Sequence, residues 1–190
     1  MTLATISSDY IARFRAHATA EMKYYKTQPS LSEAIRLAAL SRTAHGKRHP
    51  HQRRITRRVL EAAEQRLQGM SASLRRAKSF DEVHHLVTSE IGSLRGIGEL
   101  AIYDFSHRIG AFLGLEPDAV YLHAGTRVGA RALNLTGDVI SLSAFPSALQ
   151  CLSAGEIEDC LCIYKSLLKP GAAGRISRSL CMTVKRPNCH

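Results

Sequence analysis

The chain has 190 residues, 45% of them hydrophobic, and this content excludes a chain that is disordered throughout. It carries 26 lysines and arginines against 16 acidic residues, and the resulting net charge of +10 favours a polyanionic partner, DNA or RNA. It contains no run of about 18 apolar residues and starts without a basic leader, so we expect a cytoplasmic protein with no membrane partner.

The first forty residues predict two helices that pack as an antiparallel pair. Ser8 is placed to cap a helix over residues 9–25, which Pro29 ends. Ser30 and Glu33 have the spacing of a capping box, which predicts the start of a second helix.

The next region is strongly basic. Between Ala34 and Leu60 the chain holds eight basic residues and no acidic residue. Apolar residues recur there at helical spacing from Ile55 onward, which leaves neighbouring arginines on the other faces of a predicted helix. We expect these arginines to contact nucleic-acid phosphates, and a solvated charged surface is the alternative. They are Arg53, Arg54, Arg57 and Arg58.

Three histidines share the loop before these arginines: His45, His49 and His51. A structural zinc site usually needs four ligands, and no cysteine or carboxylate in this stretch completes the set. We therefore predict no metal or other cofactor here, and expect the histidines to add to phosphate contacts or to be solvated.

The centre of the chain predicts two helices joined by a short glycine turn. Ser79 and Glu82 form a second capping box for a helix that starts at about Phe80. The turn follows as Gly96-Ile97-Gly98, where both glycines can adopt positive φ and Ile97 can pack onto the helices beneath. Exposed amides at the start of the next helix would suit an anion.

That next helix, which runs to Leu113, is almost wholly apolar, so we expect it to lie at the centre of the fold. Asp104 and Arg108 are four residues apart, which predicts a local ion pair. Alternatively, His107 acts as a general base oriented by Asp104, although the sequence identifies no nucleophile for it.

The pattern Ile91-x-x-Leu94-x-Gly96-Ile97-Gly98-x-x-Ala101 resembles the helix-hairpin-helix motif, which binds the DNA backbone without sequence specificity. The segment from Ala119 to His123, with Arg127 and Arg131 after it, resembles the corresponding part of the helix-hairpin-helix DNA glycosylase superfamily. The resemblance implies an all-α fold and a duplex DNA partner. The two arginines would extend a positive strip beside the turn.

The resemblance does not extend to the catalytic groups of that superfamily. Its catalytic aspartate would fall on Tyr121 and its optional lysine nucleophile on Leu100, and neither replacement can perform the original chemistry. The nearest carboxylates are Glu99, Asp104, Glu116 and Asp118, and we expect Asp118 at a helix start after Pro117.

The C-terminal part of the chain, from residue 133 on, predicts an extended piece within residues 133–142, a helix starting at Phe145-Pro146 and another starting near Ala154. All five cysteines lie here, and we expect buried thiols, except at Cys189, rather than a disulfide framework or an iron–sulfur site. Residues 171–190 predict a mobile basic tail.

Together these features predict an all-α multi-helix bundle over residues 1–170, with a helix-hairpin-helix over about 83–113. We expect DNA-backbone binding without sequence preference, in a protein that is not an enzyme. The first alternative is an active DNA-repair glycosylase or lyase with a displaced carboxylate, for which Asp118, Asp104 and His107 are weak catalytic candidates. The second is a helical adaptor that binds RNA or an acidic protein.

Overall fold

The computed structural model describes residues 1–168, and the predicted tail lies outside this range. The described chain forms nine α-helices and a two-stranded antiparallel sheet, which confirms a mostly helical fold. The helices are α1 (Leu3–Arg13), α2 (Arg15–Lys26), α3 (Leu31–Ala39), α4 (Arg57–Gly69), α5 (Ser71–Arg76), α6 (Phe80–Ile91), α7 (Glu99–Leu113), α8 (Ala124–Ala132) and α9 (Ala154–Ile163). The strands are β1 (Ala119–Tyr121) and β2 (Val139–Ser141), and short 3-10 helices cover Pro50–Gln52 and Leu142–Ala144.

Local capping sets several of the helix starts. The hydroxyl of Ser30 accepts a hydrogen bond from the Glu33 amide, and Ser79 does the same for Glu82, so both predicted capping positions are confirmed. Ser153 caps α9 in the same way.

The predicted first helix is wrong in its start and its length, because Ser8 lies inside α1 and the chain breaks at Phe14. The break separates two helices that bury their apolar faces in different places. Ile6 and Tyr10 of α1 belong to one core and Tyr25 of α2 to another.

Two other predicted helix starts are also wrong. Asp118 precedes strand β1, since Val120 is paired with Ile140 in the sheet, and the helix begins only at Ala124. After Phe145 the chain makes successive turns instead of a helix, and the Gln150 side chain donates to the Phe145 carbonyl oxygen at 2.7 Å.

The buried side chains form two hydrophobic cores. The first core is built by helices α2 to α7. Phe105 and Ile109 of α7 lie inside it, which confirms the predicted central position of this helix. The second core joins α1 to the sheet, α8, α9 and the segment before α9. None of the helices within residues 1–168 is both long and apolar enough to span a bilayer.

Aromatic and ionic contacts join the two cores. Phe80, Tyr103 and Tyr121 form a small buried cluster between them, and the Tyr121 hydroxyl donates to Asp81 at 2.9 Å. Arg15, at the start of α2, makes a two-pronged ion pair with Glu156 on α9. The groove along this junction contains the pocket described below.

Candidate nucleic-acid interface and adjoining pocket

The glycine turn, residues 92–98, connects α6 to α7. Within it the Leu94 amide donates to the Ile91 carbonyl and the Ile97 amide to the Leu94 carbonyl, both at 3.0 Å. Gly96 has φ of +102°, which favours glycine, whereas Gly98 has φ of −114°. The expectation of positive φ is therefore confirmed for Gly96 and wrong for Gly98.

Ile97 attaches the turn to the core, and Gly98 lies exposed at the surface. The Ile97 side chain packs against the first core, as the sequence predicts. Gly98 is the exposed residue that caps α7, and a Cβ atom added to it would meet no atom within 4 Å. The space in front of the first α7 amides is therefore open to a ligand that approaches the backbone closely.

All four predicted phosphate-contacting arginines of the basic region are exposed: Arg53, Arg54, Arg57 and Arg58. Arg57 and Arg58 occupy the first turn of α4, where positive charge opposes the helix dipole. Among residues 1–168, the ion pairs of these four arginines comprise one contact, from Arg57 to Glu61 at 2.7 Å. Most of this charge is therefore available to an anion.

The structure brings the arginine-rich helix start and the glycine turn together. A Cβ atom on Gly96 would lie 3.9 Å from the Val59 side chain, in the first turns of α4. Further along α4, Arg66 donates to the Glu90 carbonyl oxygen at 3.0 Å, beside the end of α6. The exposed Arg95 lies within the turn and joins this surface. It was not among the predicted phosphate contacts, although its place directly before Gly96 could have identified it from the sequence.

Arg127 and Arg131 lie on α8, on the other side of the turn. Arg131 is exposed, whereas the Arg127 guanidinium contacts both Glu99 oxygens at 2.5 and 3.1 Å and Asp138 Oδ1 at 2.8 Å. Glu99, Arg127 and Asp138 are called the Arg127 clasp below. The phosphate-binding role expected for Arg127 requires that this clasp open.

A pocket of about 230 Å³ lies beside the turn, between the two cores. Its walls come from α6, α7, α8 and the sheet, and the Arg127 clasp lines one side. The walls include two rings in close contact, His84 and Tyr121, whose centroids are 4.6 Å apart. Its other residues are Thr88, Ile102, Tyr103, Leu122, His123 and Val139.

His123 brings a buried acid to the edge of this pocket. Its Nε2 lies 2.5 Å from Glu158 Oε1, and both residues are buried. Burial raises the pKa of Glu158 well above its ordinary value and lowers the pKa of His123. Burial therefore disfavours the charged form of both groups.

The three weak catalytic candidates do not converge on this pocket. Asp118 is exposed next to β1 and is not one of the pocket residues. Burial lowers the pKa of His107 to about 4, and its ring packs against Phe80 and Tyr103. Asp104 accepts a hydrogen bond from the side-chain amide of Gln52. It also lies 3.6 Å from Arg108, so the predicted local ion pair is confirmed.

Asp104 belongs to a mostly buried polar cluster under the basic loop. Arg108 lies 3.7 Å from Glu21, and the Tyr25 hydroxyl lies 2.9 Å from His49 Nε2. Burial, with the Arg108 charge beside it, lowers the pKa of His49 to about 4. The expectation of phosphate contact or solvation is therefore wrong for His49, which is buried, while His45 and His51 are exposed.

The cysteines of the described residues differ in exposure. Cys160 is buried and burial raises its pKa, Cys162 is half-buried and Cys151 is exposed, so the prediction of buried thiols is wrong for Cys151. Cys181 and Cys189 lie outside the described range.

No protein-family model, curated protein or solved structure matches this chain.

Proposed function

We propose that the protein binds the phosphate backbone of duplex DNA without strong sequence preference. In this proposal α6, the glycine turn and α7 act as a helix-hairpin-helix, with Gly96, Ile97 and Gly98 at its tip. The observation that carries the proposal is the proximity of Gly96 to Val59, whose side chain would lie 3.9 Å from a Cβ atom on Gly96, because it brings the exposed turn beside the arginine-bearing start of α4. An approachable backbone and a concentration of positive charge thus share one surface.

The chemistry of this surface favours phosphate. The open space at Gly98 allows close approach to the α7 amides, which favour an anion. The exposed arginines gain free energy because phosphate contacts release counterions from the nucleic acid. Contacts of this type depend on the charge and shape of the nucleic-acid backbone and do not distinguish one base sequence from another.

The test compares two double variants, each of which replaces two arginines that are neighbours in sequence, so the change in charge is the same in both. Arg57→Glu with Arg58→Glu, at the start of α4 beside the turn, should weaken binding to a labelled duplex at least tenfold at about 50 mM salt. Arg75→Glu with Arg76→Glu, on the exposed end of α5, makes the same charge change away from the turn and should cost much less. Fluorescence anisotropy at about 50 and about 200 mM salt measures both affinity and salt dependence.

Gly98→Val adds the test of the turn itself. Because Gly98 has negative φ and open space, the variant should fold, as helical circular dichroism can show, and should still lose DNA affinity. Equal losses from the two arginine pairs, or duplex binding that ignores salt, would contradict the proposal. Stronger binding to RNA than to duplex DNA would favour an RNA-binding adaptor instead.

The pocket supports a second candidate, a DNA-repair enzyme with a displaced carboxylate. Glu99 and Asp138 both line the pocket next to the turn, which is the placement that a displaced acid requires. The parent protein should then release a base from a panel of damaged duplexes, or nick them, and Glu99→Gln or Asp138→Asn should abolish turnover. No product from any duplex would leave backbone binding as the function.

A further inference from the structure

The Arg127 clasp joins three separate elements at the mouth of the pocket. Glu99 opens α7, Arg127 lies on α8 and Asp138 immediately precedes β2. The guanidinium uses its two terminal nitrogens for both carboxylates, at distances of 2.5 to 3.1 Å. With one positive and two negative side chains, the clasp has a net charge of −1.

Glu99 occupies the position on Arg127 that an incoming phosphate would need. It follows Gly98 directly and is the first residue of α7, where the helix dipole and the exposed amides favour an anion. Its carboxylate is also presented to Arg127 in the two-pronged geometry that a phosphate adopts with arginine.

The clasp is built to exchange its partner. The side chains of Glu99 and Asp138 are 58% and 87% exposed, while that of Arg127 is 25% exposed. Exposed ion pairs contribute little to stability and are screened by salt. A polyanion that is already bound through the neighbouring arginines therefore has to displace only a weakly held Glu99 carboxylate from Arg127.

We infer that Glu99 acts as an internal substitute for a nucleic-acid phosphate, which displaces it from Arg127 when DNA binds at the glycine turn. This inference rests on the proposed DNA binding and adds a specificity-determining residue to that site. Glu99 weakens binding of any anion that lacks the charge to displace it, and Arg127 becomes a phosphate contact only in the complex. Because all three clasp residues line the pocket, the exchange also rearranges that side of it.

The experiment uses matched removal of one negative charge. Glu99→Gln should bind a short duplex at least threefold more tightly than the parent does at about 50 mM salt. Glu116→Gln removes the same charge beyond the opposite end of α7 and should stay within twofold of the parent. Adding Arg127→Ala to Glu99→Gln should reverse the gain and reduce the slope of log affinity against log salt by about 0.9, the value for one lost phosphate contact.

The outcomes separate the two proposals. If the parent shows no salt-dependent duplex binding, the proposed function fails, and the clasp exchange fails with it. If the parent binds but Glu99→Gln behaves as Glu116→Gln does, or Arg127→Ala leaves the slope unchanged, the clasp exchange alone is overturned. If circular dichroism shows that Glu99→Gln is unfolded, Asp138→Asn removes the other clasp carboxylate and carries the same expectation.

Discussion

The carboxyl group of Asp159 lies between α9 and α1, where the Tyr10 hydroxyl donates a hydrogen bond to it at 2.7 Å. Burial raises the pKa of Asp159 from 3.8 to about 6, although the bond from Tyr10 acts in the opposite direction. The folded protein therefore keeps this proton at pH values where the unfolded chain has lost it. The stabilising effect is present below about pH 4 and is lost as the pH rises to about 6.

Asp159→Asn should make the protein more stable at pH 7, because an uncharged amide of similar shape can still accept the Tyr10 hydrogen bond. We expect a gain of up to about 3 kcal/mol in the free energy of unfolding, and a smaller pH dependence between about pH 4 and pH 6. Urea unfolding at both ends of this range measures the effect. Asp81→Asn, at the exposed aspartate that accepts a hydrogen bond from Tyr121, is the control and should give no such gain in stability at pH 7. A loss of stability at pH 7 for Asp159→Asn would contradict this account.

The residues around Arg108 show what single-residue patterns can and cannot predict. The ion pair with Asp104 follows from a spacing of four in one helix. Glu21 and Gln52 reach the same cluster from α2 and from the segment before α4, and no local pattern predicts that convergence. Arg108 Nη1 and Gln52 Oε1 are buried without a hydrogen-bond partner among the described residues.

At the scale of elements, the contact between α8 and α9 depends on Gly129. A Cβ atom on Gly129 would lie 2.5 Å from the Leu161 carbonyl oxygen and 2.9 Å from its Cα, so backbone would have to move. Gly129→Ala should therefore push the two helices apart and cost about 1–3 kcal/mol of stability. Thermal unfolding should show a melting temperature lower by several degrees.

Gly125 provides the matched control in the same helix. A Cβ atom there would lie 3.4 Å from the Cys162 sulfur, which can adjust, and alanine favours helix more than glycine does. Gly125→Ala should leave the melting temperature unchanged or slightly raise it. Equal effects of the two substitutions would show that helix propensity, and not close packing, determines their cost.

Helix starts could be predicted where the signal is local. Ser30 and Ser79 cap helices through atoms three residues away, so the sequence pattern contains the whole interaction. Ser8 resembles such a cap, but the helix begins earlier because Thr2 accepts a hydrogen bond from the Thr5 amide, and Leu3 and Ile6 are then buried in the second core. Strand β1 was missed because its partner lies about 20 residues further along the chain.

For the molecule as a whole, the sequence predicted a basic surface and an exposed glycine turn but not their relative placement. The proximity of Gly96 to Val59 depends on how α4 packs beside α6. The pairing of Arg127 with Glu99 and Asp138 likewise joins elements of both cores, and an exposed arginine beside a glycine turn gives no local sign of it. DNA binding remains a prediction.

The division into two cores has a consequence for the order of folding. The first core is built from one continuous segment, α2 to α7, whereas the second joins α1 to elements about a hundred residues further along the chain. Closing that long loop costs more entropy than forming the nearer contacts. In pulsed hydrogen exchange during refolding, amides of α3 and α7 should become protected before those of α1, and simultaneous protection would contradict this order. During synthesis, the apolar face of α1, with Leu3, Ile6 and Tyr10, therefore stays uncovered until α9 has been made, and a chaperone could bind it in that interval.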